Sequence, residues 1–164
     1  MLPQEIRENI QRLIEAAERP REQVINVFYI LQKHYGYFSD EAVREAAALL
    51  KMTPLEVEEM ATFYDFLYRE PVGKFVIQVC DGVVCWMFHE NSIFDYLCQK
   101  LQVCAGQTTA DGLFTVLPTA CIGFCDRAPA MLINGVFYGP LTPAKVDEII
   151  AQLRSEHCDL VICK

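Results

Sequence analysis

The sequence lacks the short motifs that give many enzymes their chemistry. It contains no C-x-x-C pair, no G-x-G-x-x-G after an apolar strand, no P-loop and no H-E-x-x-H metal motif. The missing C-x-x-C argues against a thiol–disulfide oxidoreductase, because those enzymes activate one thiol within that spacing. The other absences give no sign of a site for NADH or a flavin, and we expect no catalytic residue on this chain.

Basic residues and long apolar runs are also scarce. Lysine and arginine total 14 against 22 aspartates and glutamates, a formal net charge of −8. Nucleic-acid binding relies on a basic face, so we expect no nucleic-acid partner. No run of 18 apolar residues occurs, and the first 20 residues carry a charge every few positions. We therefore expect neither a signal peptide nor membrane insertion, and place the protein in a reducing cytoplasm.

Cysteine, by contrast, is abundant, with eight among 164 residues. A chain of this length with 52% apolar residues buries about two thirds of its unfolded surface and folds without cross-links. In a reducing compartment thiols more often bind metals or pack in the core than form disulfides. The cysteines are therefore the first place to look for chemistry.

The first 67 residues predict four short helices. Their apolar residues recur at helical spacing, as in Ile6, Ile10 and Leu13. Ser39 precedes one helix as its N-cap, and "TPLE" at 53–56 is a capping box before another. Proline and glycine in "YREPVGK" then break the pattern. We predict a helical domain over residues 1–70 and a second domain over 71–164.

The second domain has the pattern of an α/β fold. "KFVIQVC" and "LFTVLP" read as strands with a helix between them, and "AMLINGVFYG" reads as a hairpin turning at Asn134-Gly135. "TPAKVDEIIAQL" predicts a closing helix. The predicted order is β-α-β followed by β-β-α. Pro129, just before the hairpin, is expected to be trans because most X–Pro bonds are.

The β-α-β order predicts where two cysteine pairs lie. Strands joined by a crossover helix run parallel, so both end at the same edge of the sheet. Cys80 and Cys85 come at the end of the first strand, and Cys121 and Cys125 follow the second. Four thiols far apart in sequence should therefore meet at the edge where open α/β sheets tend to keep their sites.

The spacing of these cysteines is compatible with two kinds of metal site. A structural zinc ion takes four cysteines and tolerates C-x4-C with C-x3-C, although two-residue spacing is commoner. A [2Fe–2S] cluster needs two thiolates on each of two irons, and longer spacings suit its broader core. Gly82 and Gly123 would let backbone N–H groups approach the cluster sulfurs.

The remaining cysteines and the histidines give weaker signals. Cys98 lies on the apolar stripe of a predicted helix and is expected to be a buried packing residue. Cys158 and Cys163 fall in a tail that is predicted to be peripheral, and we assign them no role. The histidines, His34, His89 and His157, show no metal-ligand pairing. The aromatic run from Phe63 to Tyr68 predicts packing rather than a cofactor site.

Three longer stretches carry a family resemblance. They are "YGYFSDEAV", "ATFYDFLYREPVGKFVIQVCDGVVC" and "GQTTADGLFTVLPTACIGFCDRAPAMLINGVFYGPLTPAKVDEI". In this order they resemble the thioredoxin-like [2Fe–2S] subunit of bacterial respiratory NADH:quinone oxidoreductase, complex I. The resemblance implies an N-terminal helical bundle followed by a thioredoxin-like β-α-β-β-β-α ferredoxin domain. It also implies a [2Fe–2S] cluster ligated by Cys80, Cys85, Cys121 and Cys125.

The same resemblance implies a function and partners. The cluster would exchange electrons with the FMN of a flavoprotein subunit that also binds NADH. Further subunits of the peripheral arm would complete the assembly on the cytoplasmic side of the inner membrane. The chain would thus belong to an enzyme as an electron carrier without a substrate site of its own.

Several alternatives stay open at the level of sequence. The same module occurs in NAD-linked hydrogenases and formate dehydrogenases, and a zinc-stabilised adaptor domain would use the same cysteines. Trp86 departs from the family pattern, where histidine often follows the second ligand. A role that the family gives to a polar group at this position is therefore not carried over to this chain.

Overall fold

The computed structural model describes residues 2–88 and 92–162, with side chains up to residue 156. The chain divides into two compact units, Met1–Pro71 and Val72–Lys164. Among the described residues, no helix combines the length and the apolar character that a membrane crossing requires.

The first unit contains the four helices that the sequence predicts. They are α1 (Gln4–Glu15), α2 (Val24–Tyr35), α3 (Asp40–Leu50) and α4 (Pro54–Phe63), with a 3₁₀ turn at Pro20–Gln23. Both predicted caps are confirmed. The Ser39 hydroxyl accepts a hydrogen bond from the Ala42 N–H at 3.2 Å. Thr53 and Glu56 form a reciprocal capping box, which satisfies backbone N–H groups at the start of α4.

One apolar face of each helix builds the core of this unit. Its largest fully buried side chains are Phe28, Phe38, Ile10 and Leu31. Tyr64 and Phe66 of the aromatic run pack on the same core. Phe66 also stacks on Tyr29 with ring centroids 5.2 Å apart. The predicted packing role of this run is confirmed for Phe66, whereas Phe63 is largely exposed.

The second unit is a four-stranded mixed sheet. Its strands are β1 (Phe75–Cys80), β2 (Phe114–Thr119), β3 (Met131–Ile133) and β4 (Val136–Tyr138), in the spatial order β2-β1-β3-β4. β1 pairs parallel to β2 and antiparallel to β3. The hairpin turns at Asn134 and Gly135, which both adopt positive φ, +47° and +87°, as a type I′ turn requires. The predicted order of elements along the chain, the parallel pairing of β1 with β2 and the turn are confirmed.

Two helices cover one face of this sheet. They are α6 (Ile93–Leu101) and α7 (Pro143–Ile162), and a one-turn helix α5 (Val83–Trp86) follows β1. The covered face buries Ile77, Phe114, Val116 and Met131 against the apolar stripes of α6 and α7. Because residues alternate along a strand, Gln78 and Cys80 of β1 point to the opposite face.

The structure departs from the sequence predictions at three places. α5 was not predicted, because four residues are too short to show a helical period. α7 continues to Ile162, so the segment expected to be a peripheral tail is helical up to that residue. The expected trans Pro129 is wrong: the Ala128–Pro129 bond is cis, as is Gly139–Pro140. The general trans preference could not anticipate either isomer, since the surrounding fold selects it.

Candidate metal centre

The parallel register brings the two predicted cysteine pairs to one edge of the sheet. Cys80, the last residue of β1, is paired in register with Thr119, the last residue of β2. The Asp81 N–H then donates to the Thr119 carbonyl at 2.9 Å, which extends the ladder by one bond. The chain therefore leaves both strands at the same level, and the loops that carry Cys85 and Cys121 start side by side.

The one-turn helix α5 brings Cys85 close to Cys80. Gly82 precedes this one-turn helix, and the Trp86 N–H donates to its carbonyl at 2.8 Å. Cys80 and Cys85 are both only 8% exposed, and with Ala130 they form a small apolar cluster. The Cys80 N–H donates to the Ala130 carbonyl at 3.1 Å, so the segment after Pro129 forms one wall of the site.

The second pair lies on the loop after β2. Cys121 and Cys125 are exposed, and their Sγ atoms are 3.6 Å apart. Cys125 opens a 3₁₀ turn, Cys125–Arg127. A tetrahedral metal with metal–sulfur bonds of about 2.3 Å holds two sulfurs about 3.7 Å apart. The spacing of this pair therefore fits two thiolates on one metal.

The two loops are in close contact through Gly82. A Cβ placed on Gly82 would lie 2.9 Å from Cys121 Cβ and 3.4 Å from its Sγ. The Cys80 thiol in turn interacts with the thiols of both Cys85 and Cys121. The four sulfurs thus form a connected set in the order Cys85, Cys80, Cys121 and Cys125.

The surroundings favour different protonation of these thiols. Burial raises the pKa of Cys85 to about 11, with the nearby Cys80 thiol adding to the effect. The Gly123 N–H lowers the pKa of Cys121, whereas the hydrogen bond with Cys121 raises the pKa of Cys125. Four thiolates without a metal would repel one another here, so a positively charged metal core is what would deprotonate the whole set.

Among the described residues, the other cysteines and His34 are not seen to join this set. In the described parts of the chain, no three histidine, cysteine or acidic side chains are spaced for a single metal ion. Cys98 on α6 is half-buried rather than fully buried, and it packs on the core as expected. His89 and Cys163 lie outside the described residues, as do the side chains of His157 and Cys158.

A cavity and an exposed apolar surface beside Cys85 were not anticipated. The cavity has a volume of about 230 Å³ and is lined by Cys80, Asp81, Cys85, Trp86, Phe88 and Pro129, among others. Of the lining residues, Trp86 and Phe88 are exposed, and Val83 and Met87, which lie nearby in the chain, are exposed as well. The apolar run "VVCWMF" was the signal in the sequence, because such a run is rarely left exposed without a partner.

Comparison with known families decides the classification of the chain. Residues 10–154 match the model of the thioredoxin-like [2Fe–2S] ferredoxin family. The chain belongs to this family. Its cofactor is the [2Fe–2S] cluster, which confirms the predicted cofactor, and the sheet with its flanking helices is the thioredoxin-like ferredoxin fold predicted from sequence.

Individual relatives of this ferredoxin support the resemblance found in the sequence. The chain is 39% identical to the E subunit of the NADH-quinone oxidoreductase of Escherichia coli (strain K12) over 148 residues, 90% of this chain and 89% of the relative. The corresponding protein of Pseudomonas aeruginosa is 37% identical over 144 residues, 88% of this chain and 87% of the relative.

A solved structure with a similar fold comes from another enzyme. It is an NAD⁺-reducing [NiFe]-hydrogenase in the air-oxidised state, with a TM-score of 0.67 and 29% sequence identity. The match covers 79% of this chain, which spans only 23% of the hydrogenase chain. The predicted alternative context, an NAD-linked hydrogenase, thus has a structural relative.

Proposed function

We propose that this chain is the [2Fe–2S] electron-transfer subunit of an NADH:quinone oxidoreductase. The observation that carries the proposal is the meeting of four thiols at the β1/β2 edge of a thioredoxin-like [2Fe–2S] ferredoxin. The enzyme context is supported by the relatives from NADH-quinone oxidoreductases, which align over nearly nine tenths of their length. The chain itself has no proposed substrate site.

The proposed ligands are Cys80, Cys85, Cys121 and Cys125. We assign Cys121 and Cys125 to one iron, because their 3.6 Å separation suits two thiolates on a tetrahedral metal. Cys80 and Cys85 are assigned to the other iron, since they are buried together in one apolar cluster. We place the cluster in the domain of residues 71–164 and no ligand in residues 1–70.

The protein residues around the ligands have distinct proposed roles. The cluster, when bound, supplies one-electron redox chemistry. Burial of Cys80 and Cys85 excludes water from one side of the site. The Gly123 N–H, which points at the Cys121 sulfur, stabilises negative charge there and so raises the reduction potential.

We further propose where the flavoprotein partner docks. Val83, Trp86 and Met87 form an apolar surface on and just after α5, next to Cys85. A partner that buried this surface would place its FMN near the cluster edge and shield the cavity from water. NADH and FMN are then bound by the partner, and other peripheral-arm subunits complete an assembly on the cytoplasmic side of the membrane.

Metal analysis of anaerobically purified protein tests the proposed function. We expect two irons and two acid-labile sulfides per chain, with the visible absorbance and reduced-state EPR signal of a [2Fe–2S] cluster. Cys121→Ala should remove this signal, whereas Cys104→Ala, an exposed cysteine away from the site, should leave it unchanged. Zinc without iron or sulfide would establish the adaptor alternative and refute the proposal.

Co-purification separates complex I from the hydrogenase alternative. That alternative is favoured by the structural likeness to the NAD⁺-reducing hydrogenase, although the chain matches less than a quarter of it. The protein is purified with its native partners, and the accompanying subunits are identified. A quinone-reducing assembly is expected; a [NiFe] protein or a formate-oxidising protein among them would move the chain to the alternative context.

A further inference from the structure

An aromatic contact links the loop of the second cysteine pair to the edge of the sheet. Phe124 lies one residue before Cys125, and Phe137 is the central residue of the edge strand β4. Their ring centroids are 5.3 Å apart, with the ring planes tilted by 47°. Phe137 is 49% exposed, so its ring covers Phe124 without belonging to the core of the sheet.

Phe124 also packs beside the first cysteine pair, on the apolar cluster to which that pair belongs. Its half-buried ring packs against the apolar cluster of Cys80, Cys85 and Ala130. Phe124 therefore lies between Cys121 and Cys125 in sequence while packing on the cluster that holds the other pair. A displacement of this ring would alter the position of one pair relative to the other.

Two backbone contacts show that the segment after Phe137 packs against the loop that carries Cys125. The Leu141 N–H donates to the Pro129 carbonyl at 2.9 Å. At Gly139, an added Cβ would collide with the carbonyl of Arg127. The chain from Phe137 to Leu141 thus lies along the loop that runs from Phe124 to Pro129.

We propose that Phe137 is a positioning residue for the [2Fe–2S] site. By packing on Phe124 it holds the Cys121–Cys125 loop, whose two cysteines are exposed and whose Gly123 adopts a φ of +80°. Cluster retention and electronic structure depend on the position of ligands, on hydrogen bonds to sulfur and on exclusion of water. The proposal rests on the assignment of Cys121 and Cys125 as ligands.

The rate of cluster loss to an iron chelator tests this proposal on cluster-loaded protein. We expect Phe137→Ala to lose its cluster about two- to tenfold faster than the unmodified chain, the range that corresponds to the free energy of one aromatic pair. The reduced-state EPR spectrum should shift or broaden, which a remote stability defect would not cause. Phe137→Tyr keeps the ring and should restore both properties.

Val136→Ala is the matched control. Val136 is 55% exposed on the same short strand, and it points away from Phe124 because side chains alternate along a strand. Its variant should lose the cluster at the unmodified rate. If Phe137→Ala does not fold, as judged by circular dichroism, Phe137→Leu replaces it, since leucine preserves apolar bulk and removes the ring.

A double-mutant cycle with Phe124→Ala completes the test. If the two rings act as one unit, the double variant loses its cluster no faster than the faster single variant. Additive effects, or an EPR spectrum and loss rate of Phe137→Ala equal to those of the unmodified chain, would overturn the proposal. A Cys121→Ala variant that retained the cluster would instead refute the ligand assignment, so the two failures are distinguishable.

Discussion

The side chain of Asn134 binds the backbone of Val76, 58 residues earlier in the chain. Its Oδ1 accepts from the Val76 N–H at 2.9 Å, and its Nδ2 donates to the Lys74 carbonyl at 2.8 Å. The hairpin turn is therefore bonded to the start of β1. Since β1 ends at Cys80, the turn stabilises the strand that supports the first cysteine pair.

Asn134→Gly removes the side-chain hydrogen bonds of Asn134 and keeps the backbone conformation of the turn. Glycine accepts the positive φ at this position, so the turn survives while both side-chain hydrogen bonds are lost. We expect the free energy of unfolding to fall by about 1–2 kcal/mol, measured by denaturant titration. Val136→Thr, on the exposed neighbouring residue, should change it by less than about 0.5 kcal/mol. An unchanged midpoint for Asn134→Gly would mean that water replaces these bonds at no cost.

Arg69 fixes the end of the helical unit. It binds Glu58 at 2.9 Å, Asp40 at 2.8 Å and the carbonyl of Phe38, and its side chain is only 22% exposed. Arg69→Met should lower the free energy of unfolding by about 2–4 kcal/mol, because it leaves the half-buried Glu58 carboxylate and the Phe38 carbonyl without this donor. Thermal or denaturant unfolding measures the effect.

Arg21 offers the control for this prediction. Its ion pair with Glu56 is solvent-exposed and 3.3 Å long. Arg21→Ala should therefore cost less than about 0.5 kcal/mol. An equal loss in the free energy of unfolding for the two variants would show that the partial burial of Arg69 does not strengthen its ion pairs.

Asp147 gives the second unit a predictable pH dependence. Hydrogen bonds from Lys100, at 2.6 Å, and from the Tyr96 hydroxyl, at 2.5 Å, lower the pKa of this carboxyl. A lowered folded-state pKa contributes stability above the unfolded pKa of about 3.9 and loses it as the pH falls through the folded value. Asp147→Asn should therefore be less stable than the unmodified chain at pH 7.

The difference should disappear below both pKa values. Unfolding of cluster-free protein is followed from pH 7 to about pH 2, so that acid release of the cluster does not enter the comparison. The two curves should converge on the acid side. A gap that persists at the lowest pH would mean that the charge of Asp147 is not the stabilising feature.

Met87 tests the proposed docking surface. It is 74% exposed just after α5, beside the site but not among the proposed ligands. Burying a methionine side chain contributes about 1.5–3 kcal/mol, so Met87→Glu should weaken binding to the flavoprotein partner at least about tenfold. The EPR signal should stay unchanged. Val136→Glu serves as a control, and full affinity in the Met87 variant would place the interface elsewhere.

Local rules and short-range patterns predicted much of the fold. The Asn134-Gly135 turn follows from the two residues themselves. The cap at Ser39 follows from its place before a helix, and the capping box from Thr53 and Glu56, three positions apart. The meeting of the cysteine pairs follows from one topological rule, the parallel pairing of strands across a crossover helix.

Features that depend on tertiary contacts could not be predicted. Only the folded chain brings Asn134 close to Val76 and Phe124 close to Phe137. The cis isomer of Pro129 is likewise selected by the surrounding fold. The short helix α5 shows a different limit, because one turn carries no period from which a helix can be recognised.

The pairing of Cys80 with Thr119 has a consequence for how the cofactor is loaded. Before β1 and β2 come together, the chain offers two separate dithiols, neither of which supplies four ligands. A preassembled cluster handed over by a donor protein would therefore find its complete acceptor only on a chain that has already folded. With the proposed ligands, we therefore expect folding of the polypeptide to precede insertion of the cluster.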